Sequence, residues 1–391
     1  MNHKTWISMY LAAVFGALGV HFVYLQIYLR DHGFSYQEIG FFLALIPLVA
    51  MVVSPVWGMI ADSSSDPRRI LRILLVLIPM CHLPLLLGGG FWVCLAVCIC
   101  IALFYQPLIP IQDSLVLRAL HIHGGDYGRL RIWGSIGFTI PALFLSVFWG
   151  HSSMGAINWT APGLLFAAYS AAAFALSHAL PPVPPERKHG LSAAGFHLLE
   201  KPTFLVLMGS VFLARVASSS LEGYQGVYLE ELGVPVEQLA LFVALGPLSE
   251  VFTIFYSQRW LARIGARKLM AICLGALVVR LAVTAGSQSW PVLVGVQALH
   301  CLTFGTQHVV TVLVVNQLAG DSIRASAQTL ATVFSNYLSR LVGLSAAGWI
   351  AQHYALQGLF GVAAGIAALS LALWWILYRD TEDADLKRGV R

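Results

Sequence analysis

The sequence predicts an all-α membrane protein of about twelve transmembrane helices, folded as two pseudo-symmetric six-helix bundles. Three observations carry that expectation. Apolar runs long enough to cross a bilayer recur from Trp6 almost to Tyr378. Of the 391 residues, 58% are hydrophobic and only 10% charged, with a mean hydropathy of +0.77, whereas a soluble domain carries about a quarter charged residues. A single long polar connection, Pro181–Lys201, contains PPVPPERKHG and divides the chain into six apolar runs and six more.

Runs of about 20 apolar residues bounded by polar, Gly or Pro punctuation give the spans in order. The first half has Trp6–Leu29, Ile39–Ala61, Ile70–Leu87, Phe91–Arg118, Arg131–Gly150 and Ala161–Leu180. The second has Thr203–Leu229, Leu239–Arg259, Lys268–Ala285, Pro291–Val314, Ala327–Ile350 and Leu359–Tyr378. The expected domains are therefore an N-terminal bundle over 1–180, a cytoplasmic linker over 181–201, a C-terminal bundle over 202–380 and a charged cytoplasmic tail over 381–391. Met1–Thr5 carries one lysine ahead of a run that is too long for a signal peptide and lacks a small-residue cleavage site, so the run is expected to stay as the first span.

All but four of the 23 lysines and arginines sort to one side of these spans; Arg30 lies on the other, and Arg215, Arg280 and Arg340 lie within spans. The positive-inside rule then puts both termini in the cytoplasm of an inner-membrane, multi-pass protein. The formal charge of +5 is scattered between apolar runs and builds no nucleic-acid face. All six cysteines fall inside apolar segments, and Cys94, Cys98 and Cys100 have no histidine or carboxylate beside them, so neither a disulfide framework nor a metal site is expected.

Between spans two and three, Gly58 to Arg69 reads GMIADSSSDPRR, which resembles the major facilitator loop pattern of Gly, three residues, Asp, then a basic pair, with Pro67 where that pattern usually has a glycine. Asp62 paired with a neighbouring arginine, with Arg68 and Arg69 as the basic pair, would latch the inward side closed; alternatively the arginines only set topology. The run Arg259–Lys268 occupies the matching loop of the second half and supports an internal repeat. Further motifs, QPLIPIQD at Gln106–Asp113, DYGRLRIWGSIGF at Asp126–Phe138, LGPLSE at Leu245–Glu250, VVR ending at Arg280 and LHCLTF at Leu299–Phe304, resemble the phenylpropionate-permease-like proteins, relatives of the lactose permease group of proton symporters. That resemblance covers nearly the whole chain. It implies the major facilitator fold and transport by alternating access, with related permeases carrying aromatic acids, sugars and nucleosides.

Ionisable groups at mid-membrane cost at least ~2.5 kcal/mol and usually face a bundle interior or a water-filled cavity. The second half concentrates them: Arg215, Glu222, Glu250, Arg280, His300, His308 and Arg340. Three arginines against two acids leave one positive charge for a bound anion or for Asp113 of the first half. Arg215 and Glu222, seven residues apart on one helix face, form with Arg340 an expected charge network, Arg340 being a candidate partner of Glu222. The resemblance assigns substrate binding and proton coupling to Arg280, Glu250 and His300, and matches Asp113 and Arg131 to a first-half charge pair with a ligand or gating role. An acid expected three residues after the histidine is absent, Thr303 standing there, which moves the titrating role to Glu250, with Glu222 and Asp113 as competitors. Tyr24 and Trp133 are aromatic candidates for stacking on a solute ring.

No Gly-x-x-x-x-Gly-Lys-Ser/Thr loop, His-Glu-x-x-His or Gly-x-Ser-x-Gly motif is present, and no sizeable soluble output domain accompanies the spans. These absences count against an ATPase, a membrane enzyme and a receptor. The expectation is a monomeric, non-enzymatic proton symporter importing a small organic solute, an aromatic or other monocarboxylate, with the proton as coupling ion, no cofactor, and lipid as surroundings. Sugar or nucleoside symport, or proton-driven export on the same fold, are the alternatives.

Overall fold

In the computed structural model, residues 3–82, 84–85, 88–125, 127–148, 159–183 and 193–378 are described, and among them no strand occurs. The helices are α1 His3–Asp31, α2 Tyr36–Ser63, α3 Pro67–His82, α4 Phe91–Cys100, α5 Leu108–His123, α6 Tyr127–Phe148 and α7 Thr160–Ser177. They continue with α8 Pro202–Glu231, α9 Val236–Gly286, α10 Trp290–Val296, α11 Gln307–Thr332 and α12 Ser339–Leu377. An all-helical body is what lipid dictates, because every backbone polar group must be satisfied within its own segment. Eight runs among the described residues are long and apolar enough to cross a membrane, one of them Phe91–His123, continuous through α4 and α5. The long α9 is interrupted at Gly265, where φ is 82°, and α12 at Ala355, where φ is 58°. Leu87, Gly150, Asp126, most of the linker and the whole 381–391 tail lie outside the described residues.

Local chemistry sets the helix ends. Ser35 and Glu38 form a reciprocal capping box that starts α2. Asp66 caps α3 by accepting from the Arg68 backbone N–H at 3.1 Å, and Pro67 takes the first helical position, where its missing N–H is harmless. That accounts for the proline where the family loop pattern usually has a glycine.

The chain separates into two compact units. Unit 1 is Met1–Lys188 with Leu229–Leu248, and unit 2 is His189–Tyr228 with Ser249–Arg391. Leu229–Leu248 clusters with unit 1, where Arg30 and Glu231 pair at 3.1 Å. Within unit 1, α1 packs on α6 and α7. Gly137 of α6 lies so close to the Ala12 backbone that no Cβ fits there. Within unit 2, Gly343 of α12 sits against Ser219 of α8 in the same manner, a Cβ there meeting Ser219 at 2.7 Å. Small residues at such crossings let membrane helices pack without a hydrophobic driving force.

Two crossings carry π-helical turns, at Ile101–Tyr105 between α4 and α5 and at Cys301–Thr306 ahead of α11; a third, Val333–Leu338, precedes α12. A π turn inserts a residue into the α ladder and rotates the side chains downstream of it, and such turns frequently mark functional sites. In unit 2 they adjoin His300 and Arg340, two of the candidate residues.

Candidate substrate and proton site

Unit 2 gathers Arg280, His300 and Glu250 into one chain of contacts. Arg280, on α9 and only 5% exposed, points Nη1 at His300 Nδ1, 2.8 Å away, and donates to Thr303 Oγ1 at 3.2 Å. Its Nη2 donates to Gln297 Oε1 and, at 3.4 Å, to Gln225 Oε1. Gln297, His300 and Thr303 recur every third residue, and the tightened turn at Gln297–Leu299 followed by the π turn brings all three to one guanidinium. His300 Nε2 lies 3.0 Å from Glu250 Oε1.

The partners fix the tautomer. A guanidinium has only donors, so His300 Nδ1 must accept from Arg280. The ring proton then sits on Nε2 and is donated to the Glu250 carboxylate, which therefore accepts. Arg280 and Glu250 thus communicate through a neutral imidazole. Thr303, where an acid was expected by analogy, supplies a neutral acceptor instead.

Beside this chain, Phe304 stacks parallel to His300 at 5.8 Å between centroids, and the Arg215 guanidinium lies 4.4 Å from the Phe304 ring. Arg340 Nε lies 3.2 Å from Glu222 Oε2, so the structure brings together the two partners named from sequence. Their side chains are 26% and 24% exposed. Charges within spans usually face a bundle interior or water rather than lipid. His308 is exposed and stands apart from the Arg280 contacts.

In unit 1 the placement differs from expectation. Arg131 does not pair with Asp113; its guanidinium lies 3.9 Å over the Phe15 ring, because α1 approaches α6 closely enough to offer an aromatic face. Asp113 is instead a charged neighbour of Tyr10. The expected Asp62 latch is also not formed. Arg68 is taken by Asp66, Nε to Oδ1 at 2.8 Å and Nη2 to Oδ2 at 3.0 Å, and its Nη1 donates to the Leu180 carbonyl at 2.9 Å. Asp62 is half-buried and Arg69 exposed. Hydrogen bonding from Arg68 is the main reason the Asp66 carboxyl is held below its ordinary range. Trp133 is exposed on α6, whereas Tyr24 is buried.

Tyr24 lines a cleft with His21, Tyr28, His82, Trp159 and Phe166. His21 Nδ1 and His82 Nε2 are 2.9 Å apart, and the His82 ring lies tilted against Phe166 with 3.8 Å between centroids. This histidine pair is absent from the sequence-based candidates. The signal was available, since both residues interrupt apolar runs in the manner of His300.

The comparisons with known proteins agree with this architecture. The family model described as "MFS_1 like family" matches residues 4–362. The chain belongs to that family of major facilitator transporters. A maltose permease of Geobacillus stearothermophilus is 25% identical over 367 residues, covering 91% of this chain and 90% of the permease. A probable 3-phenylpropionic acid transporter of Escherichia coli K12 is 24% identical over 381 residues, covering 92% and 97%. The crystal structure of the nucleoside transporter NupG superposes with a TM-score of 0.81 at 18% identity, covering 97% of this chain and all of that one. The protein is accordingly a multi-pass secondary transporter of a small molecule, and not an enzyme.

Proposed function

We propose that this major facilitator protein is a proton symporter importing a small organic monocarboxylate across the inner membrane, with twelve crossings and both termini cytoplasmic. It works as a monomer in lipid, with the proton as its only coupling partner and no resident cofactor. Relatives named for maltose and nucleosides move neutral solutes, but the excess of arginine over acid within the spans of unit 2 favours an anion.

The observation that carries the reading is the Arg280–His300–Glu250 chain, with a donor-only group at one end and a carboxylate at the other. A proton arriving at His300 Nδ1, with transfer of the Nε2 proton to Glu250, leaves a neutral acid donating to Nε2 and an Nδ1–H facing Arg280. One proton has been gained, and Arg280 Nη1 has lost an acceptor. The vacated donor is offered to a polar atom of the solute, so proton and solute load together. Deprotonation on the cytoplasmic side restores the Arg280–His300 contact and displaces the solute.

The first test uses Glu250→Gln in proteoliposomes. Its amide mimics the protonated acid, so solute exchange should persist while accumulation under an imposed proton gradient falls at least tenfold, to equilibration. Retention of full proton-driven accumulation with a normal pH profile would remove Glu250 from the mechanism and make Asp113 the next carboxylate to test.

A further inference from the structure

Arg280, the cation expected to hold the solute, is already engaged by four acceptors, whereas Arg215 is not. Arg215 is 5% exposed, its Nε has no hydrogen-bond partner, and the guanidinium contact it makes among the described residues is the face of Phe304. Its charged neighbours are Glu222, Arg340 and Glu250. Glu222 is held by Arg340, and Glu250 by His300. Arg340 is paired with Glu222 and Arg280 is held by four neutral acceptors, so the span arginine with neither a carboxylate nor a hydrogen-bond acceptor among the described contacts is Arg215. A buried charge without a paired carboxylate is costly, and an aromatic face offsets only part of that cost.

Phe304 lies over this guanidinium and is itself 37% exposed, so the ring stands between Arg215 and open space. Glu222 and Arg340, each about a quarter exposed, bring the same cluster to water. We propose that Arg215 is the carboxylate anchor of the transported solute and Phe304 its cover. A single unmatched positive charge selects a single negative one, and Glu222 repels a second. The solute is on this basis an organic monoanion, its carboxylate at Arg215 and its body against the Phe304–His300 stack. The inference rests on the transport reading above and names the substrate class of that site.

The test is a thermal-shift and binding series on the full-length protein, probed with 3-phenylpropionate and benzoate, their neutral amides, maltose and uridine. In wild type the acids should bind at least tenfold tighter than their amides. Arg215→Met should raise the melting temperature of the empty protein, by removing an uncompensated charge, and erase the preference for acid over amide. Arg280→Met, which orphans four acceptors, should lower it. Should Arg215→Met not fold, Arg215→Lys decides: acid affinity should weaken at least threefold with amide affinity unchanged. Unchanged acid affinity in either Arg215 variant, or a wild type stabilised by no carboxylate of the series, overturns the proposal. Proton-driven uptake of maltose or uridine without any carboxylate response would refute the anchor and leave symport standing. Arg215-dependent acid binding with uptake indifferent to a proton gradient would do the reverse.

Discussion

Segments 91–123 and 290–319 are built alike and used differently. Each runs from a short α stretch through a π turn into a further helix, at Ile101–Tyr105 in one and Cys301–Thr306 in the other, an offset of about 200 residues along the chain. At matching positions the first has Cys100, Leu103 and Tyr105 where the second has His300, Thr303 and Gly305. The backbone device is common to both units, but the Tyr105 hydroxyl on the first has no hydrogen-bond partner, whereas His300 and Thr303 on the second hold Arg280. A second device recurs in the loops after the second crossing of each half. Arg68 donates to the Leu180 carbonyl after α7, and Arg267 donates to the Trp375 carbonyl near the end of α12 at 2.7 Å. The repeat thus conserves scaffolding, while polar chemistry is concentrated in one unit.

The largest expected effect tests that concentration directly. Arg280→Met removes a buried donor set from His300, Thr303, Gln225 and Gln297 and should destabilise the protein by about 3 kcal/mol, as for other broken buried polar networks. Met80 stands near the matching position of the first half and is exposed. Met80→Ala should cost under about 0.5 kcal/mol. Equal losses in chemical denaturation of the two variants would break the contrast between the units.

A smaller effect comes from making unit 2 resemble unit 1. Thr303→Leu installs the residue found at Leu103, deletes an acceptor of Arg280 and leaves that donor short, so about 1–2 kcal/mol should be lost. Thr303→Ser keeps the hydroxyl and should recover most of it. If the two variants melt together, the side-chain volume of Thr303 matters and its hydrogen bond does not.

The fold class was legible because lipid imposes it: apolar length and the Pro181–Lys201 break announce two sets of spans before any contact is known. The polar residues of unit 2 were legible for the same reason, since each of Arg280, Glu250, His300, Arg340 and Glu222 stands out against an apolar background. Which side chains touch was less so. The π turn after His300 rotates Phe304 against Arg215, and no pattern of residue types announces that turn. Arg131 was matched to Asp113 by resemblance to related permeases, but the close α1–α6 crossing offers it the Phe15 ring. Asp62 was expected to pair with a neighbouring arginine, but Arg68 goes to Asp66, a capping carboxylate two residues away that is already held in place by the helix start. His21 and His82 were readable as intramembrane histidines, yet their pairing across 61 residues is a property of packing.

The smallest effect concerns the loop between the second and third crossings. Asp66 both caps α3 and holds Arg68, which in turn reaches the Leu180 carbonyl, so one carboxylate ties the start of the third crossing to the end of the sixth. The second half ties its matching loop without an acid, through Gly265 at positive φ, the Arg267 donation to Trp375 and the Trp374 indole N–H donating to the Arg267 carbonyl at 2.9 Å. Asp66→Ala should therefore cost about 1 kcal/mol, the usual worth of a helix cap. Asp66→Asn, which keeps a cap but loses the charge, should cost less. The pH dependence separates the two contributions. Asp66 is held below its ordinary value in the folded protein, so its ionic contribution is complete above the unfolded value, about 4, and is lost as pH falls through the folded one. Melting wild type and Asp66→Asn side by side should show a gap at pH 7 that narrows progressively as the pH falls below about 4. A gap that does not narrow at all as the solution is acidified would mean that the loop depends on the shape of Asp66 and not on its charge, and that both halves secure this turn by geometry.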